Sequence, residues 1–167
     1  MTFRITRRGL IFAAACALPR LPRAETTLDL AWADLVPGGD DPLRQAIDDL
    51  GLRQAGELLG LADAFDWHAV TTAYNGRQVR IPGYMVPLAF RKDGVREFLL
   101  VPYVGACIHV PPPPPNQIVM VTAATPYPVT GYFDAIRVKG RLATERLETG
   151  LAEVGYVIEG AEVTPYG

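Results

Sequence analysis

The sequence predicts a mainly β (α+β) fold: a small OB-like, partly open β-barrel with one N-terminal helix, with a β-sandwich as the alternative. The hydrophobic content of 49% and the charged content of 20% are typical of a folded globular domain. Fifteen prolines and sixteen glycines favour turns and short strands over long helices. From residue 68 onward, five or six short apolar or alternating segments are separated by turn-forming residues. Strands of this kind, joined by tight turns and one helix, favour a curled, partly open sheet.

Residues 1–24 have the pattern of an export signal. A positive head that contains Arg7 and Arg8 precedes the short apolar run Leu10–Leu18, and small residues near Ala24 provide a cleavage point. The run is shorter than the roughly 18–20 apolar residues of a membrane-spanning helix. We therefore expect a periplasmic protein.

The paired arginines within Thr6–Ile11 resemble the twin-arginine type of signal, which directs the export of folded proteins. An alternative is a lipoprotein site at Ala14–Cys16, in which lipid on Cys16 would anchor the protein in the envelope. In that alternative alone, the membrane becomes a partner.

Cleavage after residue 24 changes the charge and the cysteine content. The full chain has 16 basic and 18 acidic residues, and the removed segment carries five arginines and no acidic residue. The mature part then has 11 basic and 18 acidic residues, a net charge of −7. Such a domain repels phosphate backbones, so nucleic acid is not an expected partner. Cys107 remains as a single thiol, which excludes an intramolecular disulfide.

Residues 25–67 are predicted to form an N-terminal arm and a helix, in one globular unit with the barrel-like part at 68–167. Alternating apolar residues from Leu28 to Leu35 indicate a short strand or extended arm. A helix over roughly 42–50 follows from the N-cap Asp41, a proline in the first turn and apolar residues at helical spacing. Gly51 breaks it before an extension towards Leu59.

The strands of residues 68–167 follow from alternation, apolar runs and turn signals. The pair Asn75-Gly76 indicates a hairpin, because both residues tolerate positive φ angles. Pro102 lies inside a long apolar segment and predicts a bend or an edge position there. The segment 143–154 is predicted to be a short helix or a loop. The predicted strands are Val70–Tyr74, Gln78–Ile81 with its continuation Gly83–Phe90 (interrupted by Pro87), Glu97–Val110, Gln117–Ala123, Ala135–Leu142 and Gly155–Val163.

Cys107 and His109 are the candidate metal ligands. Alternation in the predicted strand places Val104 on the core face and the thiol and imidazole together on the other face. Sulfur and nitrogen donors suit zinc or copper. The alternative is that Cys107 acts only as a small buried hydrophobe. His68, the other histidine of the chain, could complete a site.

A run of prolines follows the Cys-x-His pair and forms a stiff polyproline II rod. Docking against such a preformed rod costs little conformational entropy, so the run is a candidate partner-binding loop. The alternative is a rigid connector that positions two amide side chains. The candidate partner-binding residues are Pro111, Pro112, Pro113, Pro114, Pro115, Asn116 and Gln117.

The sequence gives little sign of catalysis. It contains no G-x-S-x-G elbow, no glycine-rich phosphate loop before a helix, and no second cysteine of a Cys-x-x-Cys pair. We expect a non-enzymatic protein and no catalytic residues. A Cys-dependent enzyme with Cys107 as the nucleophile ranks last among the alternatives.

The sequence resembles the DUF3299 family of exported Gram-negative bacterial proteins. The resemblance rests on LAWADLVP at Leu30–Pro37, VRIPGYMVPL at Val79–Leu88 and FLLVPYVGACIHV at Phe98–Val110 with its proline run and Asn116-Gln117. It implies a periplasmic protein that assists an ABC-type transporter of the envelope and takes part in zinc handling. Zinc is accordingly the expected cofactor, and the transporter or another periplasmic protein is the expected partner. The resemblance implies no catalytic residue.

Overall fold

The structure, a computed structural model, describes residues 25–38, 68–105, 113–129, 131 and 133–166. These residues form one six-stranded sheet and two short 3₁₀ helices. The strands are β1 (Leu28–Asp29), β2 (Gln78–Pro87), β3 (Val95–Val101), β4 (Val119–Tyr127), β5 (Ala135–Glu148) and β6 (Glu153–Pro165); the 3₁₀ helices are Trp32–Leu35 and Pro115–Gln117.

The strand order is β1-β2-β3-β4-β6-β5, and β2 also pairs with β5. Because β2 and β5 lie near opposite ends of this order, their pairing curls the sheet into a partly ring-like arrangement, although the sheet is not a true barrel. Strands β4 and β6 run parallel, as do β1 and β2, and the other pairs are antiparallel. The prediction of a mainly β, partly open curled sheet is confirmed. The alternative of two stacked sheets is not what the described residues form.

Alternating apolar side chains build the main core on one face of the sheet. Ile136, Val138 and Leu142 of β5 are fully buried, as expected from the alternation seen in the sequence. Leu30, Trp32 and Leu35 of the N-terminal arm belong to the same core. A second apolar cluster lies on the opposite face of β2, β3 and β4; its buried members are Val86, Leu99, Val101, Ile118 and Val154.

The predicted strand Glu97–Val110 is wrong for residues 102–105, because β3 ends at Val101; residues 106–110 lie outside the described residues. The ladder between β2 and β3 ends at the pair Tyr84–Val101, and Pro102 has no N–H with which to continue it. Residues 102–105 turn away from the sheet: Gly105 has a φ of 85° and the Val104 side chain is 58% exposed. Val104 therefore does not contribute to the core face on which alternation placed it.

The N-terminal arm pairs with the part of the β2 edge that β3 does not cover. β1 pairs with Val79 and Arg80, and β5 pairs with the same residues from the other side. The Leu30 N–H donates to the Arg80 carbonyl at 2.9 Å, and the Trp32 indole N–H donates to the Pro82 carbonyl at 2.9 Å. The arm thus completes an edge that would otherwise present unpaired backbone groups.

Two further predictions about local structure are wrong. Val70–Tyr74 is not a strand: Val70 and Tyr74 pack against the core, and the Asn75-Gly76 turn is fastened by the Gly76 N–H to the Leu142 carbonyl at 2.7 Å. Residues 143–148 are neither helix nor loop, because they extend β5, which pairs along its length with β6. A tight loop joins the two strands at residues 149–152.

The predicted helix at 42–50 lies outside the described residues. Within the residues that are described, no helix is long and apolar enough to cross a membrane.

Candidate functional site

The segment that carries the candidate metal ligands runs between two buried residues. Cys107, His109, Pro111 and Pro112 lie outside the described residues. The chain on either side is described: Gly105 is buried at one end of the segment and Pro113 at the other. Gly105 follows the end of β3 and Pro113 precedes β4, and these two strands are neighbours in the sheet. Both ends of the segment are therefore anchored in the fold.

The described part of the proline run packs inward. Pro113 and Pro115 are buried, and Pro114 is half-buried. Pro115 opens the second 3₁₀ helix, where its fixed φ angle suits a first position. The Gln117 N–H donates to the Pro114 carbonyl at 2.8 Å and closes the turn. Residues 113–117, called the proline connector below, therefore lead the chain into β4.

Asn116 and Gln117 fasten this connector to two distant parts of the chain. Asn116 is 3% exposed, and its Nδ2 donates to the Ala69 carbonyl at 3.0 Å. Gln117 is 2% exposed, and its Nε2 donates to the Trp32 carbonyl at 3.0 Å and to the Asn116 carbonyl at 3.3 Å. The two amides thereby tie the proline segment to the arm and to the stretch that begins at His68.

The side-chain oxygen of each amide has no hydrogen-bond donor among the described residues. Asn116 Oδ1 and Gln117 Oε1 are both buried and accept no hydrogen bond.

Tyr156 of β6 holds the same two parts of the chain together. Its side chain is fully buried, and its hydroxyl donates to the Leu35 carbonyl at 2.6 Å and accepts from the Thr71 N–H at 2.8 Å. Burial raises the pKa of this phenol above its ordinary value, while the hydrogen bond from Thr71 opposes the shift. Sequence reasoning missed Tyr156. A tyrosine in a core strand indicates that its hydroxyl has a hydrogen-bond partner, but it does not identify that partner.

Gly155 allows the close approach between β6 and the proline segment. A Cβ at this position would lie 2.7 Å from the Pro115 carbonyl oxygen and 2.6 Å from Val70 Cγ1. Only glycine leaves enough room for the backbone at Pro115 to pack against β6 at this distance.

His68 lies on the surface near this connector. Its side chain is 61% exposed, and its Nδ1 is 3.3 Å from Glu153 Oε2. The backbone carbonyl of His68 accepts a hydrogen bond from Arg146 at 2.6 Å. In the described part of the chain, no group of three or more His, Cys, Asp or Glu side chains is placed to hold a metal ion.

An open cleft of about 490 Å³ lies elsewhere, against the outer side of β5 and β6. Arg141 lines it, but its guanidinium is already bound by the Glu25 carboxylate and by the Gly76 carbonyl. The exposed Glu145 and Glu159 also line the cleft. The residues that line this cleft include none of the candidate metal-binding or partner-binding residues, and Arg141 is engaged in fixing the arm.

Comparison with known proteins identifies the family. The family model described as a protein of unknown function, DUF3299, matches residues 32–165. A crystal structure at 2.45 Å resolution of a DUF3299 family protein from Pseudomonas aeruginosa PAO1 is similar to this chain, with 34% sequence identity and a TM-score of 0.66. The similarity covers 85% of this chain and 97% of that one. No curated protein matches the sequence. The match over residues 32–165 and the similar crystal structure together show that this chain belongs to the DUF3299 family.

Proposed function

We propose that this protein is a periplasmic, non-enzymatic binding or accessory protein that acts through residues 106–112 and the proline connector. The observation that carries the proposal is the anchoring of this region: Gly105 and Pro113 are buried, and Asn116 and Gln117 tie the connector to the arm and to Ala69. A binding segment with fixed ends loses less conformational entropy on binding than a freely moving loop.

The proposed ligand is a transition metal, zinc in the first place, held by Cys107 and His109. Thiolate and imidazole are the donors that zinc prefers. A closed structural zinc site needs four ligands, and the proposed pair supplies two. Such a pair fits an ion that is carried and handed on better than one that is held permanently. This agrees with a role beside an ABC-type transporter of the envelope, the proposed partner.

Metal analysis of the exported protein tests this proposal. We expect near-stoichiometric zinc after equilibrium dialysis of the protein purified from the periplasm, and at least a tenfold weaker affinity in Cys107→Ala and in His109→Ala. His68→Ala is the matched control, because it removes the other histidine, whose side chain faces Glu153. Stoichiometric zinc that survives both substitutions would exclude the pair as ligands. Loss of zinc in His68→Ala alone would move the site to the other histidine.

A partner-docking role without metal is the second candidate. The end of β3 and the loop between β5 and β6 expose apolar side chains beside the second apolar cluster: Val104 is 58% exposed and Leu151 is 48% exposed, next to Tyr103 and Ala152, which pack against that cluster. We expect Val104→Asp with Leu151→Asp to reduce capture of a partner by the tagged protein from the native envelope. Capture that is unchanged by this double substitution counts against docking at this end of the sheet.

A further inference from the structure

The hairpin that joins β2 to β3 ends in a short, fixed tip, residues 90–96. The Arg91 N–H donates to the Gly94 carbonyl at 3.1 Å and the Gly94 N–H donates to the Arg91 carbonyl at 3.2 Å, so the two residues between them form a tight turn. A Cβ at Gly94 would lie 2.5 Å from a backbone carbonyl oxygen of β4. The Arg96 guanidinium donates to the Ala124 carbonyl of β4 at 3.3 Å. The hairpin tip is therefore closed by its own hydrogen bonds and packed closely against β4.

The hairpin tip combines an exposed aromatic ring with exposed cations. Phe90 is 56% exposed. Arg91 and Lys92 follow it directly, and they and Arg96 are exposed as well. The turn contains one carboxylate, Asp93, so three cations and one anion give the tip a net charge of +2. Because the mature part of the chain carries −7, the tip is a positive projection on a negative domain.

The cations of the tip differ from those on the outer face of β2 and β5. Arg80, Lys139 and Arg141 each form an ion pair with a carboxylate. Among the described residues, no carboxylate forms an ion pair with Arg91 or Lys92. The charge of these two side chains therefore remains for an anion outside the domain.

We propose that the hairpin tip contacts the surface of an anionic phospholipid bilayer, with Phe90 in the interface and Arg91 and Lys92 on lipid phosphates. Apolar rings together with cations are typical of protein segments that lie in a membrane interface. Since the rest of the domain is negative, an anionic surface repels it and attracts the tip, which orients the domain. This contact does not require lipid on Cys16.

An acidic protein is a less suitable partner for this tip. A stable protein–protein interface takes about 20–30 residues from each side. The tip offers seven residues on a convex turn, which suits a flat, fluid surface.

The expected association is weak and reversible. Each cation close to an anionic lipid surface strengthens binding about fivefold, and stable attachment needs a second contact. Gly105, where the proposed binding segment begins, lies beyond the other end of β3. The seven residues of β3 span about 23 Å, so a domain seated on its tip holds that end of the segment away from the bilayer.

Cosedimentation of the exported protein with vesicles tests the proposal. We expect binding to phosphatidylcholine vesicles that contain about one-third phosphatidylglycerol, and loss of this binding at high salt. Arg91→Gln with Lys92→Gln should weaken the binding about 25-fold, and Phe90→Ser about fivefold. Equal binding to pure phosphatidylcholine vesicles would point to lipid on Cys16 and overturn the assignment to the tip.

Arg77→Gln with Lys139→Gln is the matched control, because it removes the same two positive charges from positions outside the tip. We expect this control to bind the anionic vesicles nearly as wild type does, and both double variants to keep the thermal midpoint of wild type. Equal losses of binding in the two double variants, or no binding of wild type to the anionic vesicles, would overturn the proposal. The zinc measurement concerns other residues, so either experiment can fail alone.

Discussion

The Tyr156 hydroxyl bonds to one backbone carbonyl and one backbone N–H, both far from it in the sequence. Leu35 precedes it by 121 residues and Thr71 by 85. The ring belongs to the main core and the side chain is fully buried. Water therefore cannot replace the two hydrogen bonds of the hydroxyl. The residue therefore combines a large apolar contribution with the fixing of two chain segments.

We expect Tyr156→Phe to lower the free energy of unfolding by about 1–3 kcal/mol, because the Leu35 carbonyl and the Thr71 N–H lose a buried partner. Urea unfolding followed by circular dichroism measures this loss. Tyr166→Phe is the control, since Tyr166 is 47% exposed and its ring, which lies 4.7 Å from the Arg137 guanidinium, is kept. Equal losses in the two variants would show that the Tyr156 hydroxyl has no special role.

The same residue predicts a pH dependence. Burial raises the pKa of Tyr156 above the ordinary value of 10.0, so the folded protein retains the phenolic proton to higher pH than the unfolded chain does. The stability that depends on this proton is complete below about pH 10 and is lost as the pH rises through the raised pKa. The stability difference between wild type and Tyr156→Phe should therefore shrink above pH 10.

Gly155 gives a prediction about packing. We expect Gly155→Ala to destabilise the fold by about 1–3 kcal/mol, because the new methyl group would overlap the Pro115 carbonyl and Val70. In the control Gly150→Ala, the added Cβ meets no atom within 4 Å, so the change in thermal midpoint should be small. A Gly155→Ala protein as stable as the control would mean that β6 and the proline segment separate easily.

At the level of elements, the N-terminal arm and β3 share one edge of β2. The arm covers the part of this edge next to Val79 and Arg80, and β3 covers the part from Tyr84 to Pro87. The division follows from Pro102, which ends the ladder of β3. The arm is thus a structural part of the sheet, although only two of its residues form a strand.

We expect removal of residues 25–30 to lower stability and to promote self-association, because the edge of β2 beside Val79 and Arg80 would present unpaired backbone groups. Light scattering after gel filtration, together with urea unfolding, measures both effects. Asp29→Ala is the control: it removes only the surface ion pair with Arg80, which contributes less than about 1 kcal/mol. A truncated protein with the association state and stability of wild type would contradict this role of the arm.

Several elements could be predicted from the sequence because their signals are local. Alternation gave β5 from Ala135 to Leu142 and β6 from Gly155 to Val163, and the structure extends both. Val70–Tyr74 has the composition of a strand, but its backbone bonds to a tyrosine side chain and a turn instead. That outcome depends on where β6 lies, which no local pattern contains.

For the molecule as a whole, the curled form of the sheet follows from strand number and tight turns, and both can be read in the sequence. The pairing of β2 with β5 and the parallel pairing of β4 with β6 could not be predicted. Several registers satisfy the same alternation, and the choice among them is made by packing across the core. The hydrogen bonds of Asn116, Gln117 and Tyr156 could not be predicted either, because their partners come from distant parts of the chain.

The bridge made by Tyr156 also has a consequence for how this fold opens. The Leu35 carbonyl and the Thr71 N–H are held to one hydroxyl of β6, so the end of the arm and residue 71 share a single attachment. Local opening that pulls β6 away from them should therefore release both together. The backbone amides around Leu35 and Thr71 should then exchange their hydrogens with solvent at similar rates.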